Sequence, residues 1–121
     1  MINWEINKAT VTLYRPVGPQ ELTLIKELNW KKFPPRLPEQ PFFYPVLNKK
    51  YAQQITDQWN VPAYGAGFVL SFRVNLDYIS KFNIENVGAD IHNELWIPAE
   101  ELEEFNNNIQ GNLDVVYATA L

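Results

Sequence analysis

The sequence predicts an α+β domain in which helices pack on a small mixed or antiparallel sheet. Three observations predict it. The candidate strands are short and alternate apolar with polar residues, the pattern of half-buried strands. Strands and helices follow one another irregularly, without the regular alternation of a doubly wound parallel sheet. A chain of 121 residues, 46% hydrophobic and 20% charged, suffices for one core and leaves no room for a second, so residues 1–121 are read as a single domain.

Taken in order, residues 10–15 read as a strand, β-branched and alternating, closed by Pro16. Period two sets Val11, Leu13 and Arg15 on one face, with Thr12 and Tyr14 on the other. Pro19 after Gly18 opens a helix whose stripe of Leu22, Ile25 and Leu28 runs to about Trp30. Residues 31–45 hold five prolines, which forbid a helix, yet also Phe33, Leu37, Phe42, Phe43 and Tyr44. They read as an ordered covering loop, and long ordered loops in compact domains are disproportionately functional. Asn48 caps a helix to about Trp59, with Tyr51, Ala52, Ile55 and Trp59 inward. Residues 68–74 are the clearest strand: Phe68, Leu70, Phe72 and Val74 face one way, Val69, Ser71 and Arg73 the other. Asn75 caps a short helix carrying Leu76, Ile79 and Phe82. A strand at 84–87, a turn at 88–90 and a strand at 91–97 follow, stopped by Pro98. Pro98 opens a last helix with Leu102, Phe105 and Ile109 inward, ended by Gly111. Leu113, Val115 and Tyr117 alternate in a closing strand.

Composition narrows the function classes. The chain has no cysteine and one histidine, which removes thiolate chemistry and argues against a zinc site. The first ten residues carry no basic-then-apolar run, and nowhere do about eighteen apolar residues follow one another, so neither a leader nor a membrane span is expected. A net charge of −4 makes nucleic acid a poor partner. The expectation is a cytoplasmic protein.

Few motifs carry chemistry. There is no phosphate-cradling GxxxxGK loop, and Gly65-x-Gly67 precedes a strand, the wrong order for a dinucleotide fingerprint. His92-Asn93-Glu94 starts a strand, and period two places His92 and Glu94 on one face, the geometry of an acid–base pair or of a histidine satisfied at a sheet edge. Arg15 on an apolar-parity face demands an anion, either internal (Glu94, Asp57 or Asp77) or a ligand's phosphate or carboxylate. Lys26, Lys31, Lys32 and Arg36 form a positive cluster able to steer an anion or simply to be solvated.

The runs Leu13-Tyr14-Arg15-Pro16-Val17-Gly18, Phe33-Pro34-Pro35-Arg36-Leu37-Pro38-Glu39-Gln40-Pro41, Tyr44-Pro45-Val46-Leu47-Asn48 and Glu94-Leu95-Trp96-Ile97-Pro98-Ala99-Glu100-Glu101-Leu102 closely resemble a family of small bacterial proteins labelled "ADP-ribosylation/crystallin". The order of elements is similar to the ADP-ribosyltransferase fold. That resemblance implies NAD as substrate, with Arg15 gripping its phosphates and Glu94 bonding the ribose hydroxyl and stabilising an oxocarbenium-like transition state. It places His92 where such transferases align the acceptor. Where they carry a serine strand, this chain reads Phe42-Phe43-Tyr44-Pro45-Val46, which leaves Tyr44 as the hydroxyl there.

Two functions follow as expectations. One is an ADP-ribosyltransferase-like domain that binds NAD or a related nucleotide and cleaves its N-glycosidic bond. Its catalytic residues are Glu94 and His92, and Arg15, Tyr14, Tyr44 and Arg36 bind the ligand. The other is a non-catalytic small-ligand or protein-binding module on the same fold, suggested by the missing serine and the aromatic, proline-ordered loop. Neither reading assigns a resident cofactor, a metal ligand or a particular protein partner.

Overall fold

A computed structural model describes residues 9–121, and residues 1–8, most of the segment read for a leader, lie outside the described residues. The architecture is α+β and its sheets are antiparallel throughout. The central sheet has the order β1 (Thr10–Val17), β3 (Ala66–Asn75), β7 (Ile109–Ala120). Past β1 the ladder continues through a single residue. Tyr14 N–H donates to Val46 O at 2.9 Å and Val46 N–H returns to Tyr14 O at 2.8 Å. Val46 in turn bridges Glu94 on β5 (Asn93–Leu95), which pairs with β4 (Ile84–Asn86). A short separate ladder joins β2 (Phe42–Phe43) to β6 (Ile97–Pro98).

Period two then sorts the side chains onto two faces. One face carries Leu13, Val17, Leu70, Phe72 and Val74 and is closed by Ile25 of α1 (Pro19–Glu27), by Phe33 and Phe43 of the proline-rich loop, and by Phe105 of α5 (Leu102–Asn107). Phe33, Phe43, Phe72 and Phe105 are fully buried and meet tilted or edge-to-face at 4.9–6.1 Å. The opposite face carries Val46 and Val69 under α2 (Lys49–Ile55), with Tyr14, Tyr51, Ile55 and Tyr117 packed around Ala52.

Several expected boundaries shift, each for a local reason. β1 does not close at Pro16 but runs to Val17. Backbone N–H groups two apart point the same way, so the nitrogen of Pro16 faces the side of β1 where Val46 pairs with Tyr14, one pair beyond that bridge, and no ladder bond is lost. The first helix stops at Glu27 rather than about Trp30, because Asn29 and Trp30 both take left-handed conformations, φ 59°. The second helix does not carry Trp59 inward. A π-helical turn at Thr56–Asn60 adds a residue to one turn and rotates the buried face onto Thr56 and Val61, leaving Trp59 70% exposed. Pro62 in the short α3 (Val61–Tyr64) has no N–H for an i−4 carbonyl, which is why the ladder resets there.

Asn75 stands at the N-cap position of α4 (Leu76–Ile79) but makes no side-chain cap bond there. Its side-chain amide donates to Asn108 Oδ1 and its carbonyl accepts from Gln110, tying β3 to the turn before β7. The predicted strand over 91–97 is broken at Trp96 into β5 and β6. The last helix ends at Asn107, and Ile109 and Gly111 belong to β7 instead. The register with β3 slips between Val69 and Leu70, where β7 inserts Val116. That bulge turns Tyr117 to the face of Val69, away from Leu113, so residues 113, 115 and 117 do not share one side.

Candidate functional site

Arg15 sits where the alternation of β1 places it, on the core-facing side, and is buried to 9% exposure. Its partner is none of the acids anticipated. The one-residue connection at Gly18, between Val17 of β1 and Pro19 of α1, brings the first turn of α1 back over the end of β1. Glu21 there accepts from Arg15 Nε at 2.6 Å and from Arg15 Nη2 at 2.9 Å, a fork-on-fork ion pair. The guanidinium lies over the Phe43 ring, 4.5 Å from its centroid.

Arg36 reaches the same ring from the proline-rich loop, with its guanidinium 5.9 Å from the Phe43 centroid and Nε donating to Phe42 O at 3.0 Å. Burial and the neighbouring Arg15 guanidinium, in that order, push Arg36 below its ordinary pKa, against the opposing pull of Glu21 and Tyr44. Among the described residues Arg36 has no carboxylate in ion-pair contact. Two cations therefore stand over one aromatic ring, and among the described residues one acid, Glu21, pairs with them. They line a cleft of about 420 Å³ between the β1–α1 turn and the loop. Pro19, Pro34, Leu37 and Tyr64 supply apolar wall, and Gln40 and Asn60 supply amides. The loop is held in shape by Gln40, whose N–H donates to Leu37 O at 2.9 Å and whose side-chain carbonyl accepts from Leu37 N–H at 3.0 Å. Gly18 packs closely on the exposed Tyr64 ring. A Cβ there would stand 3.0 Å from the Tyr64 ring.

Glu94 and His92 are on one face, as their spacing requires, and both meet Tyr51 of α2. Glu94 Oε2 accepts from the Tyr51 hydroxyl at 3.0 Å, and the His92 ring stacks on Tyr51 with centroids 4.5 Å apart. Glu94 Oε1 also accepts from the indole N–H of Trp96 at 2.7 Å. His92 Nδ1 accepts from Ala89 N–H at 3.1 Å, which leaves Nε2 as the protonated nitrogen, donating to Gln54 Oε1 at 3.0 Å. Both ring nitrogens are thus engaged. Gly88 is what lets the ring in, since a Cβ there would lie 2.6 Å from Nδ1.

The two halves of the anticipated site are not brought together. Tyr14, Val46 and Glu94 are bridged in turn, so their side chains share the α2 side of the sheet, and Arg15, one residue on from Tyr14, projects to the other. Tyr44 packs on Phe42 and Trp96, and it also lies within electrostatic reach of Arg36. Of the anticipated ligand-binding residues, Arg15 and Arg36 converge. Glu21, Gln40, Tyr51, Tyr64 and Trp96 were missed. An acid in the first turn of a helix that follows an arginine-ended strand is the one signal that pointed to Glu21. Among the described residues no cluster of three or more histidines and acids is placed to hold a metal, and no helix is long and apolar enough to cross a membrane.

Tyr51 gives a pH-dependent prediction. Burial, then the hydrogen bond to Glu94, push its phenol up to about 12 from its ordinary value of 10. Below about 10 it is protonated in folded and unfolded chains alike, and its full contribution is present. Between about 10 and about 12 the unfolded chain releases a proton that the folded one keeps, so stability falls as pH rises. Tyr78, raised by burial and by its bond to Glu101, adds to the same slope. Tyr51→Phe is expected to flatten the fall in urea midpoint between about pH 10 and about pH 12. An unchanged slope refutes the assignment.

Comparison with known proteins returns no family model, no curated protein and no solved structure that matches this chain.

Proposed function

We propose that the protein is a non-catalytic binding module that takes a small organic anion in the cleft between the β1–α1 turn and the proline-rich loop. The ligand is a carboxylate or phosphate on an apolar body. One observation carries the reading: Arg15 and Arg36 share the Phe43 ring and, among the described residues, Glu21 is the one acid in contact with them, which leaves two guanidiniums to one carboxylate beside an apolar-walled hollow. Guanidinium groups hold carboxylate and phosphate through paired N–H donors, and a partly desolvated cation strengthens that attraction. The size falls within the range of small-molecule sites.

Cleavage of a nucleotide's glycosidic bond would need Glu94 beside Arg15, and the sheet lies between them. A nucleotide such as NAD would meet this cleft through its phosphates alone. The test is an amide-resonance titration at low salt with inorganic phosphate, benzoate and NAD in turn. Saturable shifts are expected at Gly18, Glu21, Arg36 and Gln40, and their loss in Arg36→Gln. Silence at millimolar concentrations of all three, or equal shifts in Arg36→Gln, overturns the reading. NAD turnover that disappears in Glu94→Gln would reinstate catalysis.

A further inference from the structure

On the other side of the β2–β6 ladder from the cleft lies a surface of opposite character. Phe42, Tyr44 and Trp96 share the parity that faces away from Phe43, and their ring centroids form a near-equilateral triangle with sides of 6.1, 6.3 and 6.3 Å. Tyr44 is 38% and Trp96 44% exposed, so the trio presents contiguous aromatic surface to solvent. The indole is pinned rather than loose. Its N–H is held by Glu94, which is itself held by the Tyr51 hydroxyl. A ring fixed along its edge leaves its faces to meet a partner at little entropic cost.

The charge beside the triangle is equally specific. Glu85 stands directly opposite Glu94 in the β4–β5 ladder, so the two carboxylates extend from the same face. Like charges in that position repel. Neither glutamate has an ion-pair partner among the described residues, where the pairs formed are Arg15–Glu21 and Lys81–Glu101. Two acids without an ion-pair partner among the described residues, one of them bonded to the indole of an exposed aromatic trio, are complementary to an organic cation, which the carboxylates attract and the ring quadrupoles accept.

We infer that this face docks a basic polypeptide segment, seating an arginine or lysine side chain against Trp96 and Tyr44 with its charge on Glu85 and Glu94. The surface shares none of the residues that line the anion cleft and stands whether or not that cleft binds.

The test follows the indole N–H resonance of Trp96, assigned by its absence in Trp96→Phe, while acetyl-tetra-arginine amide is added. A saturable shift is expected, with no response to acetyl-tetra-glutamine amide. Glu85→Gln leaves the Trp96–Glu94 bond in place, so it removes charge without disturbing the rings. It should weaken binding by about three- to fivefold, the value of one partly exposed ion pair. Glu103→Gln, on the exposed side of α5, should change nothing, because attraction between a polycation and an acidic protein in general would not distinguish the two. No shift of the Trp96 resonance, an equal response to the glutamine peptide, or equal weakening in Glu85→Gln and Glu103→Gln each overturns the inference.

Discussion

Replacing Glu21 by glutamine is expected to lower the unfolding free energy by about 3 kcal/mol, because it strands a guanidinium inside the protein. The Arg15 side chain is 11% exposed and that of Glu21 is 23% exposed. Water therefore cannot take over the role of the carboxylate without entering the space between α1 and the Phe43 ring. A glutamine keeps the shape and one carbonyl acceptor, but the charge of Arg15 then has only the ring quadrupole to face. Urea denaturation measures the loss. The paired substitution Arg15→Met with Glu21→Leu removes both charges at similar volume, and it should recover most of what Glu21→Gln costs, since burial of two apolar side chains replaces burial of two ions. If Glu21→Gln costs under about 1 kcal/mol, the range of exposed pairs, then solvent reaches the guanidinium and the pair is a surface feature. If the double variant is no better than the single one, the ion pair is stabilising in itself and the cost is not that of an unmatched charge.

That ion pair marks how far the sequence was legible. Alternation over residues 10–15 and 68–74 assigns the two central strands and the face of nearly every residue in them. The position of Arg15 on the core side follows from counting by two. What counting cannot supply is which acid meets it. Glu21 lies six residues away on a different element, and its arrival depends on the direction the chain takes at Gly18, between the end of β1 and Pro19 of α1. The same limit separates Arg15 from Glu94. Each is placed on its own strand by its own pattern, yet whether the two share a face depends on Val46, a single residue of an irregular segment that bridges both strands. Had the chain paired there one residue out of step, Glu94 would have turned to the opposite side. Helix ends and the closing strand were less legible still. A π-helical turn moved Trp59 from the inner face to solvent, and an inserted residue moved Tyr117 across the sheet. Both are one-residue departures from a regular period, and nothing in residue type announces them. The proline-rich segment, by contrast, was readable as ordered cover because its aromatics require burial and its prolines lower the entropy lost on ordering. Phe33 and Phe43 are indeed among the most buried side chains.

Phe43→Ala is expected to cost about 4 kcal/mol, the larger of the two stability effects argued here, and to cost function as well. The ring is fully buried, packs on Phe33 and Phe105 at centroid distances of 4.9 and 5.3 Å, and has the guanidiniums of Arg15 and Arg36 over it at 4.5 and 5.9 Å from its centroid. Phe105→Ala should lose a similar amount of stability, since that ring is as deeply buried and touches Phe43, Phe72 and Tyr78. The two variants separate on the cleft. Phe105 has no contact with either arginine among the described cation–ring pairs, so a folded Phe105→Ala protein should keep the phosphate response at Gly18 and Arg36. Phe43→Ala removes the surface that sets the spacing of Arg15 and Arg36, and should lose that response even at urea-free, fully folded conditions. Should Phe43→Ala prove too unstable to study, Phe43→Leu retains most of the volume but no ring face. It is expected to fold with a loss of about 1.5 kcal/mol and still to bind phosphate more weakly. The pairing with Glu21 adds a second check. Stability losses of Phe43→Ala and Glu21→Gln should be non-additive, because each exposes the same guanidinium to the same opened space. Additive losses together with an unchanged phosphate response in Phe43→Leu would mean that the ring only fills the core and that the arginines are positioned by other contacts.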